Sequence, residues 1–245
     1  MFNVFLIGLL SSSSLIIGGV LASRFTLEKR MIGIIMGFGA GTLISAVSYE
    51  LIFEAVQIAK RSGFPAYGFF SGALTFLLAD WLIGRFSFSK TQKPDPNSHT
   101  ALIVPMILAI ILDGIPESIV LGLGIFEYGS VSLSMLVAIF ISNLPEAIAG
   151  SVGMKESGWS RKKIIILWFG IALFCAVATL LGFTLFSNIS PSWMAFINAY
   201  AGGAILMMLA NSMIPEAYEN GGKLAGVFTI LGFFVSVSIV ILENS

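Results

Sequence analysis

Asp113 and Glu117 flank Pro116 in the segment ILDGIPESIVLG, within an apolar run from Ala101 to Phe126 that contains no Lys or Arg. Residues four apart share one face of a helix. Pro116 has no N–H to give the carbonyl of Leu112, so that oxygen is left free. The later segment SNLPEAI places Pro145 and Glu146 in the same register, with Ser142 and Asn143 beside them. Two antiparallel helices with matching kinks would face each other at one depth. The pocket between them would offer Asp113, Glu117, Glu146, Ser142 and Asn143, all through oxygen. Such a donor set suits a cation.

The elements carrying these residues are apolar. Of the 245 residues, 57% are hydrophobic and 11% charged, and the mean hydropathy is +0.96. A soluble domain carries roughly a quarter charged residues, so this composition belongs to a membrane protein. A spanning helix needs about 20 mostly apolar residues, and the chain holds eight such stretches, at 3–23, 31–59, 65–84, 102–126, 131–154, 164–186, 193–217 and 224–242. The whole chain, 1–245, reads as one transmembrane domain. Helices one to three lie in 1–84, a cytoplasmic loop in 85–101, helices four and five in 102–154, and helices six to eight in 164–242.

Charge sets the expected orientation. Eight spans place both termini on one side, where the loops carry only Lys60 and Arg61. Arg24, Lys29, Arg30, Arg85, Lys90, Lys93, Lys155, Arg161, Lys162, Lys163 and Lys223 fall on the other. The richer side is cytoplasmic by the positive-inside rule, so both termini are expected outside. Compactness and short loops point to a bacterial cytoplasmic membrane. Thirteen basic residues balance thirteen acidic ones, and no net field directs the chain to nucleic acid. The single cysteine, Cys175, excludes an internal disulfide and reads as a small core residue.

Glu50, Glu54, Asp80, Asp113, Glu117 and Glu146 all fall within spans, with Glu216 near the cytoplasmic end of the seventh, and no basic residue lies at comparable depth. A charge at the bilayer centre costs roughly 2.5–3.5 kcal/mol on insertion scales. With no basic partners available, the carboxyls must either hold protons or converge on a cation. The small-residue stretches SSSS at 11–14, GFGAG at 37–41 and AGGA at 201–204 read instead as close helix packing.

An internal repeat supports transport. AGTLISAVSYELIFEA, residues 40–55, aligns without gaps on GGAILMMLANSMIPEA, residues 202–217. The alignment pairs Gly41 with Gly203, Ile52 with Ile214, Glu54 with Glu216 and Ala55 with Ala217; Ser212 stands opposite Glu50. The two segments cross in opposite directions, and inverted repeats around a midplane site are a recurring transporter plan. The expected fold is therefore an all-α membrane protein with inverted three-helix repeats flanking a central pair of Pro-kinked helices.

These features resemble the ZIP family of divalent metal transporters over essentially the whole chain. The family carries His-Asn-x-Pro-Glu-Gly in its fourth helix and His-Glu-x-Pro-His-Glu or Gln-Asp-x-Pro-Glu-Gly in its fifth. Here those positions read DGIPES and SNLPEA. Pro116, Glu117, Pro145 and Glu146 match. Asp113 and Ser142 replace the first positions, Gly114 the Asn, and Asn143 an acidic residue, while Asn211 and Ser212 stand at the seventh helix's usual acidic or His pair. The resemblance implies divalent metal as substrate, no bound cofactor, no enzyme activity, and alternating access by one helix group moving against another. Gly114 and Asn143 imply one bound metal where relatives can hold two.

The expected ligands are Asp113, Glu117 and Glu146, with Asn143 and Ser142 as neutral partners. Glu50 and Glu54 are the expected entrance, Glu216 the exit. A site of hard oxygen donors tilts toward Mn²⁺ or Fe²⁺ without excluding Zn²⁺. His99, the lone histidine, reads as solvated loop polarity. The other partner is the lipid bilayer, and a homodimer is a compatible assembly. No phosphate-binding Gly-Lys-Ser/Thr loop is present, so gradients must drive movement. The competing reading is a proton-linked carrier of a small organic solute on the same scaffold, and a third is a membrane protein that transports nothing.

Overall fold

The computed structural model describes residues 1–59, 62–89, 103–186 and 189–243. Among them there is no strand, and eight helices are long and apolar enough to cross a membrane. They are α1 (Phe2–Arg24), α2 (Lys29–Ala59), α3 (Phe64–Ser89), α4 (Ile103–Tyr128), α5 (Leu133–Glu156), α6 (Arg161–Leu185), α7 (Pro191–Gly221) and α8 (Lys223–Glu243). Lys60, Arg61, Lys90, Lys93 and His99, with most of the expected cytoplasmic loop, lie outside the described residues.

Local chemistry sets the ends. Ser132 and Ser160 cap α5 and α6 by accepting from Met135 N and Lys163 N. Such caps satisfy amides that have no partner inside the helix. Pro191 opens α7 at a position where its missing N–H costs nothing. Gly222, at φ 59°, makes the turn from α7 into α8, which a side chain would strain. At the end opposite the termini, Lys155 Nζ donates to Ala22 O at 3.0 Å and so caps the last turn of α1.

Inside the bundle, contact is made backbone to backbone. A methyl group at Gly41 would run into the Thr229 carbonyl of α8, and one at Gly203 into the Phe69 carbonyl of α3. Reciprocally, Gly232 of α8 abuts Phe38 O and Gly72 of α3 abuts Tyr200 O. The GFGAG and AGGA stretches are therefore packing surfaces. The most intimate pairs are α2 with α7, α3 with α7, α2 with α8, α1 with α5 and α6, α4 with α6, and α2 with α5. Trp168, fully buried on α6, donates from Nε1 to Ser151 Oγ of α5 at 2.7 Å, and Gly19 and Gly150 leave room for its ring.

Two features go beyond the sequence expectation. First, Pro116 and Pro145 lie inside α4 and α5, but α2 and α7 also change their winding, with Val47–Phe53 and Leu209–Met213 as π-helix. Val47 and Leu209 occupy aligned positions of the repeat. Only α7 has a proline nearby, Pro215, so proline alone does not cause both π turns. Second, α4 and α5 meet over a short stretch only, because α4 lies chiefly on α6 while α5 lies on α1 and α2.

Candidate metal-ion site

Glu117 is 1% exposed, near the middle of α4. Its Oε1 accepts a long 3.4 Å hydrogen bond from Ser142 Oγ of α5, a fully buried hydroxyl that also donates to Ile139 O at 3.0 Å. Glu117 Oε2 is buried with no hydrogen-bond partner. A buried carboxylate oxygen left unpaired loses its hydration without compensation. Asn143, next along α5, is 4% exposed.

One turn from Glu117, Asp113 opens into a cavity of about 240 Å³ at the end of the bundle opposite the termini. Glu146 of α5 and Ser212 and Glu216 of α7 line the same cavity. Glu146 lies within electrostatic reach of Asp113, Glu117 and Glu216, and Asp113 within reach of Asp80 and Glu216. Asp80 in turn accepts from Asn211 Nδ2 at 2.9 Å. The π turn of α7 carries both Asn211, facing α3, and Ser212, facing the cavity. A π turn adds a residue to the turn and so changes which side chains share a face.

The sequence-expected residues are thus brought together in part. Asp113, Glu146 and Glu216 share a cavity, while Glu117 and Ser142 are not among the residues that line it. Among the described residues, however, no three His, Cys, Asp or Glu side chains stand close enough to hold one metal ion.

Glu50 and Glu54 lie elsewhere. With Tyr49, Ser130, Ser132 and Glu243 they line a separate pocket of about 320 Å³ at the terminal end. Glu50 Oε1 is buried without a partner. Sequence reasoning passed over two carboxylates here. Glu243 accepts from the amides of Leu133 and Ser134 at the start of α5. Glu127 accepts from Asn198 Nδ2 at 3.2 Å. The available signal was Asn198, an amide in the middle of an apolar stretch.

Cys175 is 3% exposed and packs with Leu15 and Trp168, as a core residue does. Gly114 lets its sulfur approach α4 closely. Comparison of the chain with protein-family models and with curated proteins gives no match.

Proposed function

We propose that this protein is a secondary transporter that moves a divalent metal cation across the membrane toward the cytoplasm, as a divergent relative of the ZIP family without site histidines. The observation that carries this reading is Glu117 Oε2, a buried oxygen with no partner, one helical turn from Asp113, which lines a cavity together with Glu146 and Glu216. Acidic side chains inside spanning helices without basic partners mark ion or proton pathways. Removing some of the ion's water and replacing it with Glu117, Asp113 and Glu146 would satisfy both charge and coordination. Ser142 and Asn143 serve as neutral donors, and Glu216 leads out of the site.

The positive-inside rule puts the 240 Å³ cavity on the cytoplasmic side and the Glu50–Glu54 pocket outside. Glu50 and Glu54 then form the entrance. Features at aligned positions of the sequence repeat support the reading. Gly41 of α2 against α8 and Gly203 of α7 against α3 are matched contacts, and π turns occupy aligned places in α2 and α7. In this arrangement the site opens inward.

Binding can be tested apart from movement. Mn²⁺ at a hundred times its Kd would stabilise the native protein by about 2.7 kcal/mol. Purified wild type should melt higher with Mn²⁺, Fe²⁺ or Zn²⁺, and Glu117→Gln should lose that increment. An equal increment in the variant would remove Glu117 from the site.

The absence of three ligating side chains within reach of one ion, among the described residues, favours a second reading. In it the carboxyls exchange protons and the cargo is a small organic solute. Glu117→Gln would then abolish the pH dependence of solute uptake, with no metal effect on melting.

A further inference from the structure

The outer pocket and the inner cavity share no lining residue. Beside the outer pocket, sharing Glu50 and Ser132 with it, lies a narrow void of about 30 Å³ lined also by Leu121, Glu127, Met135 and Asn198. That is roughly one water molecule's share of liquid volume, too little for a hydrated ion. Asn198 of α7 is 2% exposed, and its amide donates to Glu127 Oε2 of α4 across the void. The α4–α7 junction is thinly packed compared with α3–α7 or α4–α6, so a hydrogen bond there carries a larger share of the attachment. The nearby α5–α8 junction is also thin and is also tied at this end. Ser134 Oγ and Ser236 Oγ lie 3.1 Å apart, and Glu243 accepts from the first amides of α5.

We infer that the Glu127–Asn198 hydrogen bond is a latch that holds the outer mouth closed, and that it must break before an ion can pass from the Glu50–Glu54 pocket to Glu117. The latch rests on the transport reading for its purpose, though not for its geometry. A hydrogen bond to a charged group adds roughly tenfold or more to a closed state. Glu127 lies within electrostatic reach of Glu54, so a cation entering beside Glu54 competes with Asn198 for the Glu127 carboxylate. Arrival of the ion thereby weakens the contact that excludes it.

The test uses a reporter thiol inside the void. Gly124 lines it, and an added Cβ there meets nothing within 4 Å, so Gly124→Cys fits without displacement. In a Cys175→Ala background, a membrane-impermeant thiol reagent is offered from the terminal side of oriented vesicles. The reporter should label slowly, and about tenfold faster with Asn198→Ala or Glu127→Ala. Glu127→Gln keeps an acceptor and should stay close to the slow rate. Fast labelling with the latch intact, no acceleration in either alanine variant, or a Gln variant as fast as Ala would each overturn the inference. The assay contains no metal, so a failed uptake experiment leaves the latch standing, and unchanged labelling leaves the transport reading standing.

Discussion

Ser142 of α5 donates to Glu117 of α4 across 3.4 Å, the position where the two proline-bearing helices share a polar contact. The bond is long for a hydroxyl donor, and it leaves Glu117 Oε2 without a partner. A carboxylate held by so little is poised to accept something stronger. The function proposed here follows from that imbalance.

Removing the charge should separate stability from function. Glu117→Gln takes a buried ionisable group out of the bundle while preserving its shape. Melting of the metal-free protein should rise or stay level, even as cation binding is lost. A drop of several degrees would mean that the carboxylate supports the native packing instead.

Glycine contacts between helices give a second prediction. Gly41→Leu and Gly203→Leu should each lower stability by at least the 1–3 kcal/mol typical of overpacked interiors, because their neighbours are backbone carbonyls that cannot swing away. Gly226→Ala should be tolerated, since nothing lies within 4 Å of its added carbon. Thermal unfolding of purified variants checks all three.

At Trp168, two terms can be told apart. Trp168→Phe loses the 2.7 Å bond to Ser151 and should cost about 0.5–1.5 kcal/mol, plus a smaller packing loss. Trp168→Ala leaves a cavity between α1, α5 and α6 and should cost about 3–5 kcal/mol. Equal losses in the two variants would show that packing contributes little.

Glu216 lines the inner cavity and is exposed, whereas Glu117 is buried. Glu216→Gln should slow release several-fold while leaving the melting increment from Mn²⁺ intact. Loss of that increment would place Glu216 among the binding ligands.

Much of this was legible in the sequence because membrane helices leave few options. The expected span 193–217 falls within α7, and 131–154 matches α5 to within two residues at each end, since apolar length largely sets such boundaries. Asp113, Glu117 and Glu146 stood out because nothing basic accompanied them. The π turns were not legible. Phe53 and Pro215 occupy the same place in the repeat, and only one of them is a helix breaker, so the shared geometry reflects packing across α2 and α7. Glu127 and Glu243 were passed over because a carboxylate near a helix end reads as interfacial polarity. Their partners, Asn198 and the amides of α5, come from distant parts of the chain.

The most direct test of the central claim is uptake into proteoliposomes. Zn²⁺, Mn²⁺, Fe²⁺, Co²⁺ and Cd²⁺ would be offered in parallel to wild type and to the Glu117→Gln/Glu146→Gln double variant. The account predicts that one or more of these ions enters with wild type and not with the variant, in an order that favours oxygen-loving ions. Uptake of no metal at any pH by a folded wild type, or equal uptake by both proteins, would contradict it.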